Sequence, residues 1–146
     1  RVPVHLFVSA KPMRRPSSLL HKLDDASFIT ELNRRYAGVP HEIMQLPDVL
    51  ELLLPGMRAD IEALETFGEV KGELTCPISV FGGADDPAVS REDLEAWRGA
   101  TTGPCRIRVF PGGHFYINDA RDALLADVSA TLAAFARHRL GSEPAQ

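Results

Sequence analysis

Two short runs hold the residues best placed to do chemistry: VFGGADDPAVS at Val80–Ser90 and FPGGHFYI at Phe110–Ile117. Each is an apolar stretch that ends in paired glycines and then presents a polar side chain. The first run offers an aspartate and the second a histidine. An imidazole that takes a proton from a nucleophile and passes it to a leaving group needs one ring nitrogen free and the other held by a carboxylate. His114 follows Gly112 and Gly113, so its backbone can turn sharply and its ring can stand clear of a sheet edge. Asp86 is the expected carboxylate. It precedes Pro87, which disfavours helical geometry at Asp86 and helps fix the loop. Asp85 is the competing candidate, and it reads better as an Asx-turn aspartate capping the following helix. His5, His21, His41 and His138 lack the glycine setting and read as structural or solvent-exposed.

An acid followed by a histidine resembles the end of an α/β-hydrolase triad, where the order is Ser, then Asp or Glu, then His. The nucleophile should then lie upstream of both, yet no G-x-S-x-G occurs in the 146 residues. The candidates within the chain are Ser9, Ser17, Ser18, Ser90, Cys76 and Cys105. Cys76 and Cys105 enter or begin apolar strands and read as inert. Ser9 ends a strand without the glycines that a strained nucleophile turn needs. The expectation is therefore that no residue of this chain is the nucleophile and that the chain is the back half of a catalytic domain. A start at Arg1 rather than at methionine suits that expectation, as it would also suit initiator removal or a tag.

The elements that must position these residues follow from patterning. Val2–Ser9, Cys76–Phe81 and Arg106–Phe110 read as buried strands, the first of them apolar on both faces. Lys11–Ser18 is a basic, proline-containing loop. Asp24–Tyr36 reads as a helix capped by Asp25 and stopped at Gly38, with Phe28, Ile29, Leu32 and Tyr36 at helical spacing. Pro40–Leu46 is a short helical or turn piece. Asp48–Leu54 is a compact helix, and Pro55 starts another whose apolar face is Met57, Ile61, Leu64 and Phe67, with Arg58, Asp60, Glu62 and Glu65 elsewhere. Gly68–Leu74 reads as a linker. Glu92–Trp97 is a helix after a Ser90 cap, with Asp93 at capping-box spacing. Asn118–Leu140 is a long final helix with Leu125, Val128, Leu132 and Phe135 buried, and with Arg137, His138 and Arg139 near its end. Strands interleaved with helices predict a parallel α/β sheet. The helices at about 19–67 form an insertion between the first and second strands. Its apolar residues, Leu50, Leu53, Met57, Ile61 and Leu64, are expected to pack the insertion's own core, or in part to cover the site and line an acyl channel, and both readings can hold for different residues.

Composition excludes other classes. A net charge of −4 gives no basic footprint for nucleic acid. The two cysteines form neither a C-x-x-C nor a disulfide framework. The longest apolar runs are too short to cross a bilayer, and no signal peptide is recognisable, so a cytoplasmic protein is expected.

With these residues in view, the chain resembles the type II thioesterases, the external editing hydrolases of polyketide and nonribosomal peptide synthetases. The resemblance is carried by PVHLFVSA at Pro3–Ala10, FITELNRRYAGVPHEIM at Phe28–Met44 and PDVLELLLPGMRADIEALETF at Pro47–Phe67. It continues through CPISVFGGADDPAVS at Cys76–Ser90, AWRGATTGP at Ala96–Pro104 and RVFPGGHFYI at Arg108–Ile117. It implies an α/β-hydrolase fold split into hydrolase core at 1–11, a helical lid at 12–71 and core again at 72–146. It implies Asp86 and His114 as triad members, and a serine in G-H-S-x-G together with both oxyanion donors in an N-terminal half outside this sequence. The implied reaction is cleavage of an acyl thioester from the phosphopantetheine arm of an acyl or peptidyl carrier protein. No metal or redox cofactor is implied, phosphopantetheine being part of the substrate. Another α/β-hydrolase, such as a carboxylesterase or lipase, and a non-catalytic fragment that only docks a carrier protein are the alternatives.

Overall fold

The computed structural model describes residues 3–13, 19–67 and 72–140, with the backbone alone for 138–140. Three strands form one parallel sheet in the order β1-β2-β3: β1 is Leu6–Ser9, β2 is Ile78–Gly83 and β3 is Cys105–Phe110. Leu6 aligns with Ile78, and Ile78 with Cys105. The strands are those expected, with different bounds. Pro3–His5 stand outside β1, and Val2 lies outside the described residues. β2 begins after Pro77, whose nitrogen has no hydrogen to give to a ladder. It runs on through both glycines, because β3 pairs with it as far as Gly83–Phe110.

Alternation of side chains builds two cores. Leu6, Val8, Ile78, Val80, Ile107 and Val109 share one face with Val89, Leu94, Ala100 and Trp97. Phe7, Phe81 and Phe110 share the other with Tyr116, Leu124 and Val128. The first face is covered by α4 (Arg91–Glu95) and the 3-10 turn Ala96–Ala100. α4 starts from the Ser90–Asp93 capping box, with both reciprocal hydrogen bonds formed. The second face is covered by α5 (Arg121–Leu140). Each face of the parallel sheet thus carries a helix, and the α5 face leaves Arg106 and Arg108 partly exposed.

α5 departs from expectation in two ways. It starts at Arg121 rather than Asn118, because the Asn118 and Asp119 amides donate to the Phe115 and Tyr116 carbonyls of the preceding turn. Its buried stripe holds Leu124 and Asp127, while Leu125 and Leu132 are exposed. Apolar residues surround this helix, so periodicity could not choose between neighbouring stripes. Asp127 decides the matter by pairing with Arg106 at 3.2 Å and Arg108 at 3.1 Å on β3. The side chains of His138 and Arg139 lie outside the described residues.

Between β1 and β2 the described elements are all helical: a 3-10 turn at Leu20–Lys22, α1 (Asp25–Tyr36), α2 (His41–Met44) and α3 (Pro47–Thr66). They bury a core of their own, made of Leu20, Phe28, Leu32 and Val39, with Leu50, Leu54, Met57 and Ile61 packed against it. Several details correct the sequence reading. The α1 cap is Asp24, whose extended backbone lets its carboxylate accept the Ser27 amide at 3.0 Å, while Asp25 pairs with Arg58. The left-handed residue that ends α1 is Ala37 rather than Gly38, and the Asn33 side chain secures the turn by accepting the Val39 amide.

α3 is one helix with Pro55 inside it, not two. Leu50, Leu54, Met57 and Ile61 continue one stripe across the proline, so packing on a single core holds the helix together despite the missing donor. That stripe reaches Glu65, which is buried, while Leu64 and Phe67 are exposed. Glu65 accepts the Leu20 amide at 2.8 Å and the His21 amide at 3.2 Å, and meets His21 Nδ1 at 2.6 Å. Arg58 donates to the His21 and Leu23 carbonyls from the same helix. Residues 68–71 of the expected linker lie outside the described residues, and Leu74 bridges Thr101 in parallel rather than standing free.

Candidate active site

β2 and β3 end side by side, and the loops that leave them meet through backbone. The Ala84 amide donates to the Phe110 carbonyl at 2.8 Å and the Asp85 amide to the Gly112 carbonyl at 2.9 Å. A Cβ at Gly83 would run into the carbonyl oxygens of Gly112 and Gly113, so glycine is required where the two loops touch. Gly112 itself has φ of +108°, a conformation that favours glycine, and it turns the chain back toward the first loop.

This approach brings Asp86 and His114 together. Asp86 Oδ2 lies 2.9 Å from His114 Nδ1, and the two side chains are 0% and 18% exposed. A carboxylate only accepts, so Nδ1 carries the hydrogen, and in the neutral ring the lone pair is on Nε2, which no hydrogen bond engages among the described residues. The other oxygen, Oδ1, accepts the Ala88 amide at 2.8 Å and the Val89 amide at 3.2 Å. Asp86 therefore makes the Asx turn that the sequence reading gave to Asp85. It holds the loop with one oxygen and the imidazole with the other. Asp85 is exposed and engages the histidine loop through its backbone amide.

The histidine loop is anchored by Tyr116, which sequence reasoning did not single out. Its ring is buried and stacks on Phe110 at 5.4 Å, and its hydroxyl shares a hydrogen bond of 2.6 Å with Ser9 at the end of β1. Burial pushes the Tyr116 phenol above its ordinary pKa; the Ser9 hydrogen bond opposes this and the Asp86 charge adds to it. The phenol thus stays protonated near neutral pH. The only signal in the sequence was an aromatic residue close after the glycines.

The candidate nucleophiles are placed elsewhere. Ser9 is committed to Tyr116, and Ser90 to the α4 capping box. Cys105 opens β3 and Cys76 precedes β2, at the end of the sheet opposite His114. Burial raises the Cys105 thiol above its usual value, which lowers its thiolate fraction. Ser17 and Ser18 lie outside the described residues. Among the described residues no serine or cysteine hydrogen-bonds His114, and no group of three or more His, Cys, Asp or Glu side chains could hold a metal. No described helix is long and apolar enough to cross a membrane.

A family model of the thioesterase domain matches residues 1–132. Thioesterase PikA5 of Streptomyces venezuelae is 37% identical over 130 residues, which are 87% of this chain and 46% of that protein. The RedJ thioesterase from the prodiginine pathway of Streptomyces coelicolor superposes with a TM-score of 0.76 at 34% identity, covering 88% of this chain and 52% of that one. The type II thioesterase BorB from the borrelidin biosynthetic cluster gives 0.72 at 34% identity, covering 88% and 54%. The chain spans about half the length of the curated relatives it matches.

Proposed function

The chain belongs to the thioesterase domain family, and from that premise we propose that it supplies the acid and base of a serine thioesterase. The substrate is an acyl group on the phosphopantetheine arm of an acyl or peptidyl carrier protein, in polyketide or nonribosomal peptide biosynthesis. The observation that carries this reading is the Asp86–His114 pair: a fully covered carboxylate on Nδ1, with Nε2 free. In the proposed reaction a serine hydroxyl attacks the thioester carbonyl while His114 Nε2 takes its proton. His114 then protonates the departing thiolate. A water gives its proton to Nε2 as it attacks the acyl-serine, and the acid leaves as the serine recovers its hydrogen. Asp86 orients the imidazole and stabilises the imidazolium.

The serine belongs to a segment outside these 146 residues. That proposal is supported by the lack of G-x-S-x-G and by the commitments of Ser9 and Ser90. We further propose that the helical insertion is a lid over the acyl group, that no metal or redox cofactor takes part, and that the enzyme works in the cytoplasm. The test is hydrolysis by the full-length protein of an acyl thioester on a carrier protein, compared with a simple ester of the same acyl chain. Preference for the carrier thioester is expected. Faster cleavage of the simple ester would make the protein a carboxylesterase or lipase, and inactivity on both would make it a docking module.

A further inference from the structure

The helical insertion reaches the Asp86–His114 pair through one aromatic ring. Tyr36, the last residue of α1, sits partly buried against the insertion's core of Leu20, Phe28, Leu32 and Val39. Its ring lies 4.8 Å from the His114 ring, centroid to centroid, at 68°. Phe115 meets His114 at 5.3 Å and 83°. The imidazole is thus held at Nδ1 by Asp86 and flanked by two roughly perpendicular aromatic rings, an arrangement aromatic systems favour. Phe115 travels with the histidine loop. Tyr36 does not: it is fixed to α1, and α1 packs with the 3-10 turn that Glu65 and Arg58 clamp to α3.

We propose that Tyr36 is a positioning residue for His114, through which the placement of the helical insertion sets the orientation of the imidazole. The proposal rests on the thioesterase reading for its kinetic consequence and on geometry alone for the ring contact. The phenol also stands near the carboxylates. Burial raises its pKa first of all, and Glu65 and Asp86 add to that rise against Arg35. The hydroxyl therefore stays neutral near neutral pH, and the ring supplies the contact.

The test uses the full-length protein with Tyr36→Phe, which keeps the ring, and Tyr36→Leu, which keeps apolar volume only. Two readouts separate the contact from the chemistry. The first is the chemical shift of the His114 ring protons, assigned with His114→Gln. Tyr36→Leu should remove the ring-current displacement that Tyr36→Phe retains. The second is steady-state hydrolysis of a carrier-bound acyl thioester. Losing one aromatic pair should lower kcat about threefold to tenfold in Tyr36→Leu. KM should stay within about twofold, and Tyr36→Phe should restore kcat. If Tyr36→Leu fails to fold, Tyr36→Met replaces it. Unchanged ring-proton shifts would overturn the contact. Changed shifts with wild-type kcat, or a raised KM with kcat intact, would overturn the positioning role. Wild-type inactivity on the thioester with the shift difference present would overturn the thioesterase reading and leave the contact standing.

Discussion

At the carboxyl edge of the sheet, the loops after β2 and β3 are joined by amide-to-carbonyl hydrogen bonds and by Gly83, where there is no room for a Cβ. In the helical insertion, segments distant in sequence are joined by charged side chains: Glu65 to the Leu20 and His21 amides, Arg58 to the His21 and Leu23 carbonyls. Backbone joints fix geometry almost independently of side-chain rotation. Side-chain joints tolerate adjustment, and each can be removed by one substitution. The region that must hold an acid and an imidazole in fixed relation uses the first kind. The region proposed as a lid over the acyl group uses the second.

That contrast can be broken most severely at its chemical centre. In the full-length protein His114→Ala should cut thioester turnover on the order of a thousandfold or more while the chain still folds. Turnover near wild type would remove His114 from the reaction. Asp86 separates orientation from support. Asp86→Asn keeps an oxygen for the Ala88 and Val89 amides, so it should fold normally and lose most activity, whereas Asp85→Asn should stay close to wild type. Inactivity of Asp85→Asn at equal folded fraction would place the acid one residue earlier.

The two kinds of joint should also fail differently. Glu65→Ala leaves two amides and an imidazole without their carboxylate, in a place with little water. A loss of about 2–4 kcal/mol is expected. Hydrogen exchange should rise in α1 and α3 while the sheet stays protected; uniform exchange across the chain would refute a separately clamped insertion. Gly83→Ala should cost about 1–3 kcal/mol by forcing the two loops apart. Its exchange should instead rise at Ala84 and Asp85, read by the same experiment.

The smallest effect lies at an exposed helix pair. Hydrogen bonds from Arg34 lower the Glu31 carboxyl from 4.5 to about 2, with Arg35 assisting. A depressed carboxylate pKa stabilises the fold above the unfolded value of 4.5, and that contribution fades as pH falls from there toward 2. Solvent screens this pair, so Glu31→Gln should barely move the melting temperature at pH 7 and should flatten only the acid side of the profile.

What the sequence made legible follows the same division. Runs of Val, Ile and Phe between helical stretches identify the strands and their parallel sense, and the paired glycines after β2 and β3 identify the edge where Asp86 and His114 stand. The misreadings concern what backbone conformation and tertiary packing decide. Two adjacent aspartates compete for the α1 cap, and only backbone conformation at Asp24 decides it. A proline reads as a break, yet α3 continues because its stripe stays on one core. A glutamate at helical spacing reads as solvated, yet Glu65 is buried because the start of the helical turn Leu20–Lys22 supplies donors. No local pattern announces that Tyr36 meets His114 or that Tyr116 reaches Ser9.

The pairing of Asp127 with Arg106 and Arg108 has a consequence for how the chain assembles. β3 presents its arginines at alternate positions on the α5 side, while Ile107 and Val109 face the opposite core. A slip of one residue against β2 would thrust both guanidinium groups into that apolar core and turn Ile107 and Val109 toward Asp127. Sliding by two would preserve the faces but offer Asp127 a different pair of partners. In the folded chain the buried acid thus favours this register over the two-residue slip, which hydrophobic burial alone would tolerate.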